Sequence, residues 1–506
     1  KKSSSASPQG DAMFRRQLHT ELLRARGTSL VWLPLIAVPL VLLTYNLSRL
    51  ASPATDATGV LMWQSMYVTG MAAPLVAMFA AAAEAREKRA RFGGTHMRLA
   101  GLPKVQRTRF LNAERLARLL VVLLSIAVFH VINFGGSWLA VYSRENSSRI
   151  LAVGVLCFVG SIGIAGLAAA VARLTNLVVT LVVFVIWQLF FALNPVVEAD
   201  NWWMCPPAWP VRAVLPIMGI HRNSVPLEPG ASLAAEKPWN ALALCVLLAL
   251  VGIAAALWAP DSWHPRLVRR SKAAANEPGV GWKPAVVTRD CAQRPRPFLA
   301  LCFAATTPAL VACMVLSATL LVFTALLYPA SYVHGLFVFG ILPIGSGLAP
   351  VLGWAALRDS WPLMLLEYRG CRSTLIYWLI SVVAVMSACS LLAGLIAGGA
   401  LGDELRRLVL SIAVGTIIAL ASLLLNARFG STFTLALSIV FAIISLTLGG
   451  DVLANTPLWT VAFSAWPETV TNIGRMTVAI PVIVVALASL CFCWQKKAPM
   501  VGSSDS

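Results

Sequence analysis

The chain has 506 residues, 58% of them hydrophobic and only 12% charged, with a net charge of +19 and a mean hydropathy of +0.77. Soluble domains average about a quarter charged residues, so the composition excludes a soluble protein. The apolar runs are long and uncharged, as helical spans require, which excludes an outer-membrane barrel. The basic excess is confined to alternate loops, which excludes nucleic acid as its partner.

Residues 11–27 place Phe14, Leu18 and Leu22 at i, i+4, i+8, with Arg15, Arg16, Arg24 and Arg26 mostly elsewhere. The spacing predicts an amphipathic helix on the inner membrane surface. Spans are predicted at 28–48, 59–83, 119–141, 150–172, 174–194 and 240–259. After a linker at 260–298, further spans are expected at 300–327, 331–357, 373–398, 408–426, 431–450 and 476–494. No cleavable leader is expected, because the first apolar run is long enough to span and no cleavage motif follows it.

The loop between the second and third spans orients the rest. Residues 84–118 carry ten Lys or Arg against three Glu, and hydrocarbon cannot solvate that charge. The positive-inside rule puts this loop in the cytosol. Twelve spans then leave both termini cytosolic, with 31 of the 40 Lys and Arg inside while the 21 acids divide almost evenly. Only basic residues obey the rule, so this split supports the topology.

The domains expected are a cytosolic tail with an amphipathic helix (1–27), a first six-span unit (28–259), a linker (260–298), a second unit (299–495) and a short tail (496–506). Trp202 with Trp209-Pro210, and Trp459 with Trp466-Pro467, both read W-x5-A-W-P at the equivalent place. Tyr67-Val68-Thr69-Gly70 is echoed by Tyr332-Val333-His334-Gly335. An even number of spans per unit makes the repeats parallel. These Trp and Pro residues are candidate interfacial anchors and breakers of short re-entrant helices at an outer gate.

The spans offer little chemistry. His130 is the ionisable group nearest mid-membrane, so the acids or relays of an ion-coupled carrier are not evident, nor is a channel filter. The outer acids, Asp56 included, form no constellation suited to a membrane enzyme on a lipid-linked substrate. Histidines and cysteines do not pair at ligand spacing, so no metal site is expected. Cys205 alone is placed in an outer segment, so no disulfide framework follows. No G-x-x-x-x-G-K-[ST] occurs, so a P-loop nucleotide site is excluded.

Glu87-Lys88, Gly94-Thr95 and Leu102-Pro103, followed by Arg107 and Arg109, resemble the loop after the second span in ABC-2-type permeases, especially those of lantibiotic and bacteriocin immunity or export. The opening residues 18–40 resemble the start of such permeases. The resemblance implies a type 2 ABC exporter-like, all-α polytopic fold of twelve helices in two parallel six-helix repeats. It implies no cofactor in this chain, with ATP and Mg held by a separate P-loop ATPase present in two copies. An amphipathic or hydrophobic cargo, an antimicrobial peptide, drug-like metabolite or lipid, would leave across a bacterial cytoplasmic (inner) membrane. Coupling would fall to Glu84, Glu87, Lys88, Leu102, Pro103 and Arg107. In the second half the matching loop keeps Glu367 and Arg369 but lacks the G-T and L-P elements. The alternatives are an ion-coupled secondary carrier and a membrane enzyme.

Overall fold

The computed structural model describes residues 8–51, 57–89, 101–141, 147–189, 191–192, 194–223, 225–228, 230–260, 297–358, 360–368, 370–449 and 456–497. The protein is an all-α polytopic membrane protein. Among the described residues the one β contact is an isolated bridge, Ile220 to Pro226. Among the described residues, ten helices are long and apolar enough to cross a membrane. The chain divides into two compact units, residues 1–284 and 285–506.

Unit 1 begins with α1 (Pro8–Ala25). Four long helices follow: α2 (Ser29–Asn46), α3 (Ala57–Lys88), α4 (Lys104–Ala140) and α5 (Ser148–Leu174). Then come α6 (Leu177–Leu189), a run of short helical turns, and α7 (Trp239–Trp258). In α1 the period of three to four residues is present, but Glu21 and Ala25 are buried while Leu22 is exposed. Charge pairing of Glu21, rather than the apolar stripe, decides which side of α1 packs.

Helices α5 and α7 meet through glycine. A Cβ on Gly166 would lie 2.3 Å from the Gly252 carbonyl carbon and oxygen, and one on Gly252 would lie 2.3 Å from the Gly163 oxygen. In hydrocarbon no hydrophobic gain drives helices together, so close backbone approach at small residues supplies the attraction through dispersion.

The predicted span 174–194 becomes α6, 13 residues long, or about 20 Å against a hydrocarbon thickness of about 30 Å. The chain continues as four short helical turns, Asn194–Val197, Trp202–Met204, Ala208–Arg212 and Leu215–Met218.

Unit 2 comprises α8 (Pro297–Ala305), α9 (Pro308–Leu327), α10 (Ala330–Leu357), α11 (Trp361–Glu367), α12 (Cys371–Ile396), α13 (Leu401–Phe429), α14 (Ser431–Leu448) and α15 (Ile473–Lys497). The predicted span 300–327 is two helices, because Pro308 opens α9 with Thr307 as its N-cap. Helix α14, 18 residues long, is the eleventh predicted span; with α6 it stands outside the ten long helices.

Three long helices contain a π turn: α3 at Tyr67–Met71, α4 at Val131–Gly135 and α10 at Phe337–Ile341. In α3 and α10 a proline, Pro74 or Pro343, follows within three residues. A residue inserted there leaves backbone groups without helical partners, which must be satisfied from outside the helix.

Gly166→Leu forces α5 off α7. Overpacking of this kind costs about 1–3 kcal/mol, so the purified chain should unfold at lower temperature than wild type. An unchanged midpoint would show that the two helices do not touch there.

Candidate functional site

At one end of unit 1, four carboxylates meet four guanidinium groups. Glu84 lies near the end of α3, and its carboxylate takes both prongs of Arg173, Nη2 at 3.0 Å and Nε at 3.3 Å. Arg118 of α4 reaches Glu84 at 3.1 Å and Glu87 at 3.2 Å. Arg24 of α1 lies 3.0 Å from Glu21, 3.0 Å from Glu114 and 3.5 Å from Glu87. Arg86 closes on Glu21. Glu21, Glu84, Glu114, Arg118 and Arg173 are all buried.

The basic side chains also tie down helix ends. Arg173 Nη1 donates to the Ala256 carbonyl at 2.7 Å, and Arg115 donates to that of Leu257, both near the end of α7. Lys88 donates to the Ala172 and Thr175 carbonyls at the end of α5. Cations near helix C-termini answer carbonyls that have no helical donor. The cluster therefore fastens α1, α3, α4, α5 and α7 at one end.

Glu21, Glu87 and Glu114 place carboxylate oxygens within 4.8 Å of one another, a donor set a metal ion could use. The Arg24 guanidinium already reaches all three. Burial disfavours its charge, but the carboxylates of Glu21, Glu87 and Glu114 more than offset this and raise its pKa above the ordinary value. A permanent cation thus answers the converging negative charge.

The sequence-predicted residues divide between this cluster and a surface. Glu84, Glu87 and Lys88 are in the cluster. Pro103 precedes α4 as its N-cap residue. Pro103 and Arg107 are exposed and Leu102 is half-buried. Glu367 is exposed at the end of α11. Gly94-Thr95 and Arg369 lie outside the described residues. Sequence reading missed Arg173, Glu21 and Glu114 as partners; its one available signal was a lone arginine ending an otherwise apolar helix.

The corresponding end of unit 2 is built from aromatic rings. Trp354, Trp361 and Trp494 pack with centroids 5.1 to 5.8 Å apart, and Trp494 Nε1 donates to the Arg372 carbonyl at 3.3 Å. Trp361 anchors α11, leaving Leu363 and Leu366 exposed.

Farther along α3 and α4, polar groups meet beside their π turns. Gln64 Nε2 donates to Asn133 Oδ1 at 3.2 Å and Ser137 Oγ at 2.8 Å, and Asn133 Nδ2 donates back at 3.0 Å. His130 Nδ1 lies 2.9 Å from the Ile126 carbonyl and so donates to it, leaving Nε2 to accept from Tyr67 Oη at 3.1 Å. His130 is a satisfied, neutral hydrogen-bonding group in this arrangement. Gln188 of α6 donates to the Val68 and Thr69 carbonyls, and Arg222 Nη2 donates to Thr69 as well, at 2.9 Å. These bonds cover carbonyls that the π turn of α3 exposes.

The tryptophan segments share one contact pattern. Trp209 Nε1 donates to the Trp203 carbonyl at 2.9 Å, and Trp466 Nε1 donates to that of Trp459 at 3.0 Å. Arg212 sits 5.5 Å over Trp202, and Arg475 sits 5.3 Å over Trp459. Pro210 lies against α5, where a Cβ on Gly160 would come within 2.9 Å of it. Pro467 is buried.

No family model matches the chain, and comparison with curated proteins and with solved structures finds no similar protein.

Removing one partner of a buried ion pair leaves an uncompensated charge, at a cost of about 3–5 kcal/mol. Glu84→Gln should therefore lower the unfolding midpoint strongly. Glu87→Gln, at a side chain 16% exposed, should lower it less. Equal midpoints for Glu84→Gln and wild type would show that the cluster contributes no stability.

Proposed function

We propose that this chain is the permease of an ABC exporter, two parallel six-helix repeats that move an amphipathic or hydrophobic cargo out of the cell under the drive of a separate ATPase. The observation that carries the reading is the matched construction of the two units. Each has a π turn followed by proline in its second long helix, a shorter helix at its fifth place, and a W-x5-A-W-P segment before its last helix. The charges of the long helices lie near helix ends and the sequence has no P-loop, so in this reading the energy source lies in another subunit. The short α6 and α14 and the tryptophan segments are the outer gate in this reading, with both termini cytosolic in a bacterial inner membrane.

The charged cluster is the input point. The exposed start of α4, Leu102 to Arg109, offers the ATPase a basic surface. Behind it the cluster makes the ends of α1, α3, α4, α5 and α7 move as one body. Reconstitution tests the whole reading. The purified chain should hydrolyse no ATP and should move cargo only with its ATPase; transport driven by a proton gradient alone would favour the ion-coupled carrier instead.

Glu87→Lys tests the input point, because it sets an ammonium against Arg24 and Arg118. Export should fall at least tenfold per ATP hydrolysed, whereas Glu367→Ala, at an exposed site outside any ionic cluster, should have a smaller effect. Wild-type export by Glu87→Lys with the ATPase fully bound would remove the cluster from coupling.

Topology is read by Cys205. A membrane-impermeant maleimide should label it in intact cells. Partial burial pushes its thiol above the ordinary value, so labelling should accelerate about tenfold per pH unit while the thiolate remains the minor form. Cys205 that reacts only after the membrane is opened would reverse the orientation.

A further inference from the structure

Unit 2 buries a second ionisable cluster at the end opposite its three tryptophans. His334, near the start of α10, is 4% exposed and Glu404, near the start of α13, is 2% exposed. His334 Nε2 lies 2.7 Å from Glu404 Oε1. Arg407 Nη1 shares that same oxygen at 2.9 Å, and Arg407 Nε reaches Glu468 Oε2 at 3.0 Å. Glu468 belongs to the short turn Trp466–Thr469, and its side chain is 34% exposed. The four groups form one contact chain from the surface inward.

Glycines at the end of α12 make room for it. A Cβ on Gly394 would fall 2.4 Å from Glu404 Oε2 and 2.9 Å from His334 Nε2, and one on Gly399 would fall 2.5 Å from Glu404 Oε1. The neighbouring charges have other contacts. Arg406 sits 3.9 Å from Asp403 and donates to the Val470 carbonyl. Arg475 donates to the Thr469 carbonyl at 2.6 Å and stacks on Trp459. Within the contact chain itself, two carboxylates face one guanidinium and one imidazole. Glu468 is answered by water as well as by Arg407, whereas the buried His334 and Glu404 place two acceptor atoms 2.7 Å apart, a contact that is repulsive unless a proton lies between them.

We propose that His334 and Glu404 form a proton-binding site, holding one exchangeable proton between them, with Glu468 as its surface-facing member. The site joins α10, the end of α12, α13 and the Trp466–Thr469 turn, so the proton governs how firmly that turn is held. Counted from the start of the π turns, unit 1 has Gln64, which does not titrate, at the place of His334. The proposal is independent of the export reading.

The test is histidine NMR on the full chain in lipid nanodiscs, labelled with 15N at its six histidines. The His334 resonance is the one that H334N removes. It should titrate within about pH 5–8. E404Q and R407Q should shift its midpoint in opposite directions, each by roughly one pH unit or more. E468Q should shift it in the same direction as E404Q, by less, and serves where E404Q does not fold. A His334 resonance that does not titrate in this range, or a midpoint that E404Q and E468Q leave in place, would overturn the proposal.

Discussion

Glu21, Glu84, Glu114, Arg118 and Arg173, the buried members of the cluster in unit 1, can leave water only together. A lone carboxylate or guanidinium costs several kcal/mol to remove from water, and the cluster escapes that cost by giving each carboxylate a guanidinium partner. Its geometry is therefore constrained more tightly than its apolar surroundings. Glu84 cannot shift without breaking its two-pronged contact with Arg173, and Arg173 cannot shift without releasing the carbonyls at the end of α7. Helices that could slide past one another on apolar contacts alone are pinned at this end into a single body.

The matching end of unit 2 meets the same mechanical need differently. Three tryptophans packed edge-on or tilted supply a large contact area and ring attraction, with an indole hydrogen bond from Trp494 fixing direction. Such packing tolerates small displacement, whereas a bidentate pair of 3.0 and 3.3 Å does not. The two units thus hold these helix ends by different chemistry. That difference follows from side-chain chemistry and not from helix order.

Helical class was legible because hydrophobic run length is a local quantity. The tryptophan segments were legible as motifs, although their indole-to-carbonyl bonds were not. The ionic cluster was half legible. Glu84, Glu87 and Lys88 stand out at the end of an alanine-rich helix, but the partner of Glu84 lies 89 residues away and only the fold brings it near. The same tertiary effect turned α1 so that Glu21 is buried and Leu22 exposed. The fifth predicted span is present as a shorter apolar helix. Residues 174–194 are apolar enough throughout, and hydropathy does not register where backbone bonding stops. His334 was noticed only as part of an echo, since its partner Glu404 is contributed by another helix.

A pattern connects these successes and failures. The features the two units hold in common are mostly backbone features: a π turn followed by proline, and indole groups that bind main-chain carbonyls. The buried ionic clusters are not shared. In hydrocarbon every exposed backbone group has to be paired, so a π turn in one unit brings a donor such as Gln188 or Arg222 with it as a necessity. Ionic clusters carry no such necessity, because an apolar cluster can replace them at little cost in stability. Two units built on one backbone plan can therefore differ freely in where they bury charge. Those differences mark where the chemistry of the units diverges: a clamp of paired charges at one end of unit 1, and a buried His334–Glu404 contact at the other end of unit 2.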